Sequence, residues 1–260
     1  MPFQPSSETS PVLPAIRCRG LAHGFAGRPV LAGIDFEVAP GSLSALLGPN
    51  GSGKSTVIKL LAGLLTPLGG TIHIAGLEVA QGGAPLKQRI GVVPERLALL
   101  EHLTVEEHFN ILAPVYGLTR TEVLVRRDGL IDALALEEVR YLPIRHGSYG
   151  TRKKLALALA LLHAPQVLLL DEPFEGLDPV AAHVVRQLFL RLAVSGATVF
   201  FTSHALSLVE RVATQVLLLQ GGRIHWEGSP GEVAGSLESF YFEQIELPEP
   251  PELPWLASPR

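Results

Sequence analysis

The sequence predicts an α/β protein with a mainly parallel sheet and a helical insertion between two of its strands. Three observations predict it. The apolar run Leu43-Ser44-Ala45-Leu46-Leu47 leads through a Gly-rich turn into a helical pattern at residues 56–62. From residue 167 onward, short apolar strands alternate with helical segments, the order expected of parallel strands joined by crossover helices. Between these regions, from about residue 104 to 163, the texture is helical.

The elements follow in chain order. Residues 1–14 are rich in Pro and Ser and predict a disordered tail. Within 15–38, Ile34, Phe36 and Val38 alternate with Asp35 and Glu37, so one face of a strand is buried. Pro40-Gly41 turns the chain into the strand at 43–47. Thr71–Ala75 and Ile90–Val93 read as two more strands. Thr104 followed by Glu107 has capping-box spacing and opens the helical region. Val123, Leu124 and residues 130–136 carry helical apolar spacing, and Lys154–Leu162 is a strongly apolar helix. Then come a strand at 167–170, a helix at 180–193, a strand at 197–202 and a short helix at 206–212. Strands at 216–219 and 223–226 complete the series. From about residue 243 the chain is rich in Pro and Glu and predicts an extended or disordered tail.

Composition narrows the function. The 260 residues carry a formal charge of −4, which gives no support for a nucleic-acid partner. Cys18 is the only cysteine, so no disulfide framework or cysteine metal site forms within one chain. The N-terminus lacks the basic and apolar regions of a secretory signal. No apolar run approaches the roughly 20 residues that span a bilayer. The expectation is a soluble chain whose membrane role, if any, comes through a partner.

The turn after the strand at 43–47 reads Gly48-Pro49-Asn50-Gly51-Ser52-Gly53-Lys54-Ser55-Thr56. This is a phosphate-binding loop, and its context is the one the motif requires. Glycines let backbone N–H groups converge on phosphate oxygens, and the helix N-terminus adds unpaired donors and a positive dipole end. Lys54 is placed to reach the outer phosphates and the Ser55 hydroxyl to ligate Mg²⁺. The run Val167–Leu170 ends in Asp171-Glu172, which a parallel strand delivers to the ligand edge of the sheet. Asp171 is the candidate Mg²⁺ ligand. Glu172 is the candidate base for the water that attacks a γ-phosphate. His204, just past the strand at 197–202, is the candidate γ-phosphate sensor.

These motifs, in this order, resemble the nucleotide-binding subunits of ABC transporters over roughly residues 15–235. The resemblance implies a P-loop ABC ATPase fold: an N-terminal antiparallel β subdomain, a mainly parallel sheet, and a helical subdomain inserted at about 96–163. A C-terminal segment at 236–260 follows. Phe25 falls where the family stacks an aromatic on adenine, the alternative being a core phenylalanine. Ile90–Glu95 matches the Q-loop segment, with Glu95 in place of the usual glutamine. Its carboxylate remains a hard oxygen ligand for Mg²⁺, the alternative being a solvated loop acid. Gly147-Ser148-Tyr149-Gly150-Thr151 stands where the family has its signature, LSGGQ in the common form, and keeps Ser148 and Gly150 in place. Gly176-Leu177-Asp178-Pro179 matches the D-loop.

The family works as a head-to-tail pair with ATP between the P-loop of one subunit and the signature of the other. The resemblance therefore implies ATP and Mg²⁺ as cofactors and a second nucleotide-binding subunit, identical or related. It also implies separate transmembrane permease subunits and a location on the cytoplasmic face of the membrane. Ser236–Phe240 and residues 148–154 resemble bacterial exporter ATPases. An importer ATPase remains open. A repair or translation ABC protein needs a second cassette, a coiled coil or a zinc insertion, and none fits this sequence. An inactive scaffold is opposed by the intact Lys54, Asp171, Glu172 and His204.

Overall fold

The computed structural model describes residues 13–245. Two sheets form its frame. The smaller is antiparallel, with strand order β2-β1-β4-β5. It comprises β1 (Ile16–Phe25), β2 (Arg28–Val38), β4 (Gly69–Ile74) and the short β5 (Leu77–Glu78). The larger has order β10-β9-β3-β8-β7-β6. Its strands β3 (Leu43–Leu47), β6 (Ile90–Val93), β7 (Val167–Leu170), β8 (Thr198–Thr202) and β9 (Gln215–Gln220) are parallel. Only β10 (Arg223–Gly228) runs antiparallel.

The parallel strands are apolar on both faces because both faces are covered. Leu46, Leu169, Phe200 and Leu217 pack toward the antiparallel sheet and α1 (Lys54–Leu61). Ala45, Leu47, Leu170, Phe201 and Leu218 point the other way. There they meet α5 (Tyr149–Leu161), α6 (Pro179–Val194) and α7 (Leu206–Val212). Phe36 of β2 stacks on Phe200 of β8, ring centroids 5.7 Å apart, which bonds the two sheets at their centre. Each such side chain contributes roughly 1.5–3 kcal/mol when fully buried. Cys18 is buried in the antiparallel sheet, and burial pushes its thiol pKa well above the usual range.

Between β6 and β7 the chain forms α3 (Val105–Leu112), α4 (Arg120–Ala133) and α5. Both α3 and α4 open with complete capping boxes, Thr104 with Glu107 and Thr119 with Glu122. Glu106 of α3 accepts from Arg127 of α4 and, at 2.8 Å, from Arg140 Nε. Arg140 also donates to Asp128 at 2.9 Å, so one ion-pair network, buried at Arg127, ties the helices together.

Several boundaries differ from the sequence reading. α5 begins at Tyr149 rather than Lys154, because Ser148 caps it and Gly150 does not break it. The short α2 (Gly83–Arg89) and β5 were not anticipated. α8 (Leu237–Gln244) carries the chain two residues into the segment read as extended. The N-terminal tail up to residue 12 and the tail from 246 lie outside the described residues.

Candidate active site

The P-loop joins β3 to α1. β3 is buried along its whole length, so the loop leaves the sheet from a fixed position. Gly53 is the N-cap of α1 with φ 107°. A Cβ there would be strained and would stand 3.0 Å from the Leu31 and Val30 side chains, so glycine is required. No side chain caps α1. Its first N–H groups are therefore left for an anion. Lys54 Nζ donates to Gly48 O at 2.8 Å and to Pro49 O at 3.2 Å. Burial lowers the Lys54 pKa, against the raising effect of Glu172, Asp171 and Glu95. Ser52 Oγ is buried and makes no hydrogen bond, an orphaned donor inside the loop.

The carboxylates face this loop from β7. Pairing of Leu170 with Phe201 puts the ends of β7 and β8 side by side. Thr202 then donates from Oγ1 to Asp171 Oδ1 at 2.7 Å and accepts from the Glu172 N–H at 2.9 Å. One hydroxyl thereby fixes both acidic residues. Glu172 adopts φ 50°, a left-handed conformation uncommon for a non-glycine residue. Its Oε1 lies 3.0 Å from His204 Nδ1.

These groups share one cleft of about 530 Å³. Asn50, Gly51 and Gly53–Thr56 form one wall, and Glu95, Asp171, Glu172, Glu175 and His204 the other. That volume suits a nucleotide. Among the described residues no three His, Cys, Asp or Glu side chains form a self-sufficient metal cluster. This donor set fits Mg²⁺ all the same, since Mg²⁺ is commonly bound through one or two carboxylates together with substrate phosphates and water. Ser55, Asp171 and Glu95 are oxygen donors on this cleft. Glu95 is exposed, at its mouth.

Four predicted residues lie elsewhere. Phe25 ends β1 with its ring 4.9 Å from His23 in an edge-on contact. It is 49% exposed, which excludes the core alternative. Ser148 caps α5, accepting from the Thr151 N–H at 3.1 Å, and Gly150 follows in the first turn. Asp178 caps α6, its Oδ1 accepting from the Val180 and Ala181 N–H groups at 2.9 and 3.0 Å. The sequence reading missed Thr202, Glu175 and the buried Lys153. Thr202 closes the strand just before His204, but nothing local signals its contact with Asp171.

A strand, a Gly-rich loop and a free helix N-terminus, faced by a strand-end carboxylate pair, define a P-loop nucleotide-binding protein. The family model described as ABC transporter matches residues 31–175, and the chain belongs to that family as an ATP-binding subunit. It is 31% identical over 245 residues to the Nod factor export ATP-binding protein I of Rhizobium etli, covering 94% of this chain and 78% of that protein. The protein of the same name in Ralstonia nicotianae is 33% identical over 220 residues, covering 85% and 68%. A solved structure described as the ATP binding subunit of an ABC transporter superposes with TM-score 0.83 at 33% identity, covering 88% of this chain and 98% of that one. Another, cbiO1 from Clostridium perfringens, part of the ABC transporter complex cbiONQ, gives TM-score 0.75 at 28% identity, covering 84% and 90%. No helix among the described residues is long and apolar enough to cross a membrane.

Proposed function

We propose that this chain hydrolyses ATP with Mg²⁺ and that hydrolysis drives export of a substrate through separate membrane subunits. The observation that carries this reading is the convergence of Lys54 and Ser55 with Asp171, Glu172 and His204 on one cleft. Lys54 exchanges its two loop carbonyls for the outer phosphates. Ser52 and the first N–H groups of α1 turn toward the same oxygens. Ser55, Asp171 and Glu95 would hold Mg²⁺, which when bound would neutralise charge developing on the phosphates. Glu172 takes the proton of the attacking water, oriented by Thr202 through the backbone and by His204 through the carboxylate. Phe25 offers its exposed ring to the adenine.

Ser148 and Gly150 do not line the cleft of their own P-loop. On this reading they complete the ATP site of a second nucleotide-binding subunit, with Asp178 at the junction. Export is supported by the naming of the relatives from Rhizobium etli and Ralstonia nicotianae. An apolar cleft of about 470 Å³, lined by Leu64, Val92, Val115, Tyr116 and Leu159, offers a permease a docking face. The chain then works at the cytoplasmic side of the membrane, held by that permease.

The test is Glu172→Gln. The variant keeps nearly the same shape but loses the base, so it binds ATP-Mg, turns over at least about a hundredfold slower, and accumulates as a dimer in size-exclusion runs with ATP-Mg. A Glu172→Gln protein that hydrolyses ATP at the unsubstituted rate and stays monomeric overturns the assignment.

A further inference from the structure

Two positions where this chain departs from the family pattern, Tyr149 and Glu95, line one hollow, and Tyr149 rests on a buried lysine. Lys153 lies on α5 one turn beyond Tyr149. It is 2% exposed, and among the described residues its ammonium makes no hydrogen bond. Its Nζ stands 5.5 Å from the centre of the Tyr149 ring, a cation–π contact at helical i,i+4 spacing. The other edge of that ring is pressed against Gly176. A Cβ at Gly176 would fall 2.3 Å from Tyr149 Cδ1, and Gly176 has φ 72°, so only glycine admits the tyrosine. The ring is thus wedged over the lysine and seals it from solvent.

A buried ammonium with no hydrogen-bond partner is costly unless neighbouring charge compensates it. That charge is present. Glu175 acts on Lys153 most strongly, followed by Asp171, Glu172 and Glu95, all opposing the lowering of its pKa by burial. The same four carboxylates line the nucleotide cleft, where Lys54 is the only lysine among the described residues. Asp171 and Glu172 have Thr202 and His204 to hold them. Among the described residues Glu95 and Glu175 enter no ion pair. They also line a second hollow with Tyr149 and Arg152, on the side of the α5 N-terminus.

We propose that Lys153 is a positioning residue of the ATP cleft, its buried ammonium balancing Glu95 and Glu175 and so setting the affinity for ATP-Mg. The complex of ATP with Mg²⁺ is an anion, and it enters a cleft already walled by four carboxylates. Lys153 lowers that repulsion from beneath, without touching the nucleotide. Because Tyr149 rests on it and Ser148 caps the same turn, the charge at the phosphate end also acts on the segment that carries the signature.

The proposal rests on the cleft being an ATP-Mg site. The test is a double-mutant cycle on the full chain: unsubstituted protein, Lys153→Met, Glu175→Gln and the double variant, each titrated calorimetrically with AMPPNP-Mg. Lys153→Met is expected to weaken binding roughly three- to tenfold. Glu175→Gln is expected to tighten it less than about twofold alone and roughly three- to tenfold in the Met background, since only there is Glu175 unbalanced. A space-filling lysine would show no such dependence on Glu175. Equal effects of Glu175→Gln in both backgrounds overturn the proposal, as does unaltered binding by Lys153→Met. Thermal unfolding reports whether each variant folds. If Lys153→Met does not, the double variant, free of both charges, must fold and bind, and its failure overturns the proposal. Absence of nucleotide binding by the unsubstituted protein overturns instead the reading of the cleft.

Discussion

His204 Nδ1 lies 3.0 Å from Glu172 Oε1, with the histidine on the solvent side of a largely buried carboxylate. The two residues come from the ends of adjacent parallel strands, β7 and β8. Their meeting follows from strand register rather than from any local motif. A histidine so placed fixes the direction of the carboxylate while its other ring nitrogen remains for a ligand. Thr202 fixes the same acid from the backbone side.

Thr202 is therefore expected to matter for both stability and turnover. Thr202→Val keeps the volume but leaves an Asp171 oxygen and the Glu172 N–H unpaired in a buried setting. The cost is about 1–3 kcal/mol in denaturant unfolding. Phosphate release falls about tenfold or more as the base loses its orientation. Thr202→Ser restores the hydroxyl and most of both. A valine variant that matches the parent in both measurements removes Thr202 from the site.

Glu95 is tested by its charge. Glu95→Gln keeps an oxygen ligand and removes one negative charge near the metal. The variant remains active and needs roughly three- to tenfold more Mg²⁺ for half-maximal turnover. Glu95→Ala, with no ligand left, needs more. Superimposable Mg²⁺ titrations of all three proteins show a solvated acid with no place at the metal.

The trans arrangement is tested by mixing. Ser148→Arg and Lys54→Ala chains are each inactive as homodimers. In a mixed head-to-tail dimer both lesions fall at one site and the other site is intact. Mixing then recovers up to about half the activity per mixed dimer, provided one intact site turns over alone. Mixed dimers shown to form, yet without activity, count against the sandwich.

The capping boxes make the helical region acid-sensitive. The Thr104 backbone N–H and hydroxyl hold the Glu107 carboxyl below its ordinary value of 4.5, and Thr119 does the same for Glu122. Depressed folded-state values mean that the stabilisation is complete above about pH 4.5 and is lost as pH falls through the folded-state values. The melting-temperature gap between the parent and Glu107→Gln/Glu122→Gln is thus expected to be largest near pH 7 and to shrink as pH falls below 4.5 through the depressed folded-state values. A gap unchanged between pH 7 and 3 rules this out.

The parallel strands were legible because each is a short apolar run between turn residues. β6, β7 and α7 match the sequence reading at both ends. Lys54, Asp171, Glu172 and His204 were legible because their chemistry demands fixed neighbours in sequence. α2 escaped because it opens with Gly82-Gly83, contains Pro85 and buries only Leu86. Lys153 escaped for a different reason. In Arg152-Lys153-Lys154 it reads as solvated helix surface, and only tertiary packing puts it under Tyr149. The contact between Thr202 and Asp171 spans 31 residues and depends on β7 and β8 being neighbours, which no sequence window contains.

The left-handed backbone of Glu172 has a consequence for how this chain responds to selection. At φ 50° a side chain costs about 1 kcal/mol relative to glycine. Glycine at 172 would relieve that strain and delete the base in the same step. A screen that rewards heat resistance alone would drift toward this substitution and return a sturdier, inert protein. A screen that rewards transport would hold the glutamate in place. Position 172 thus separates the two pressures, and laboratory evolution for ruggedness would need a transport counter-selection to keep the machine running.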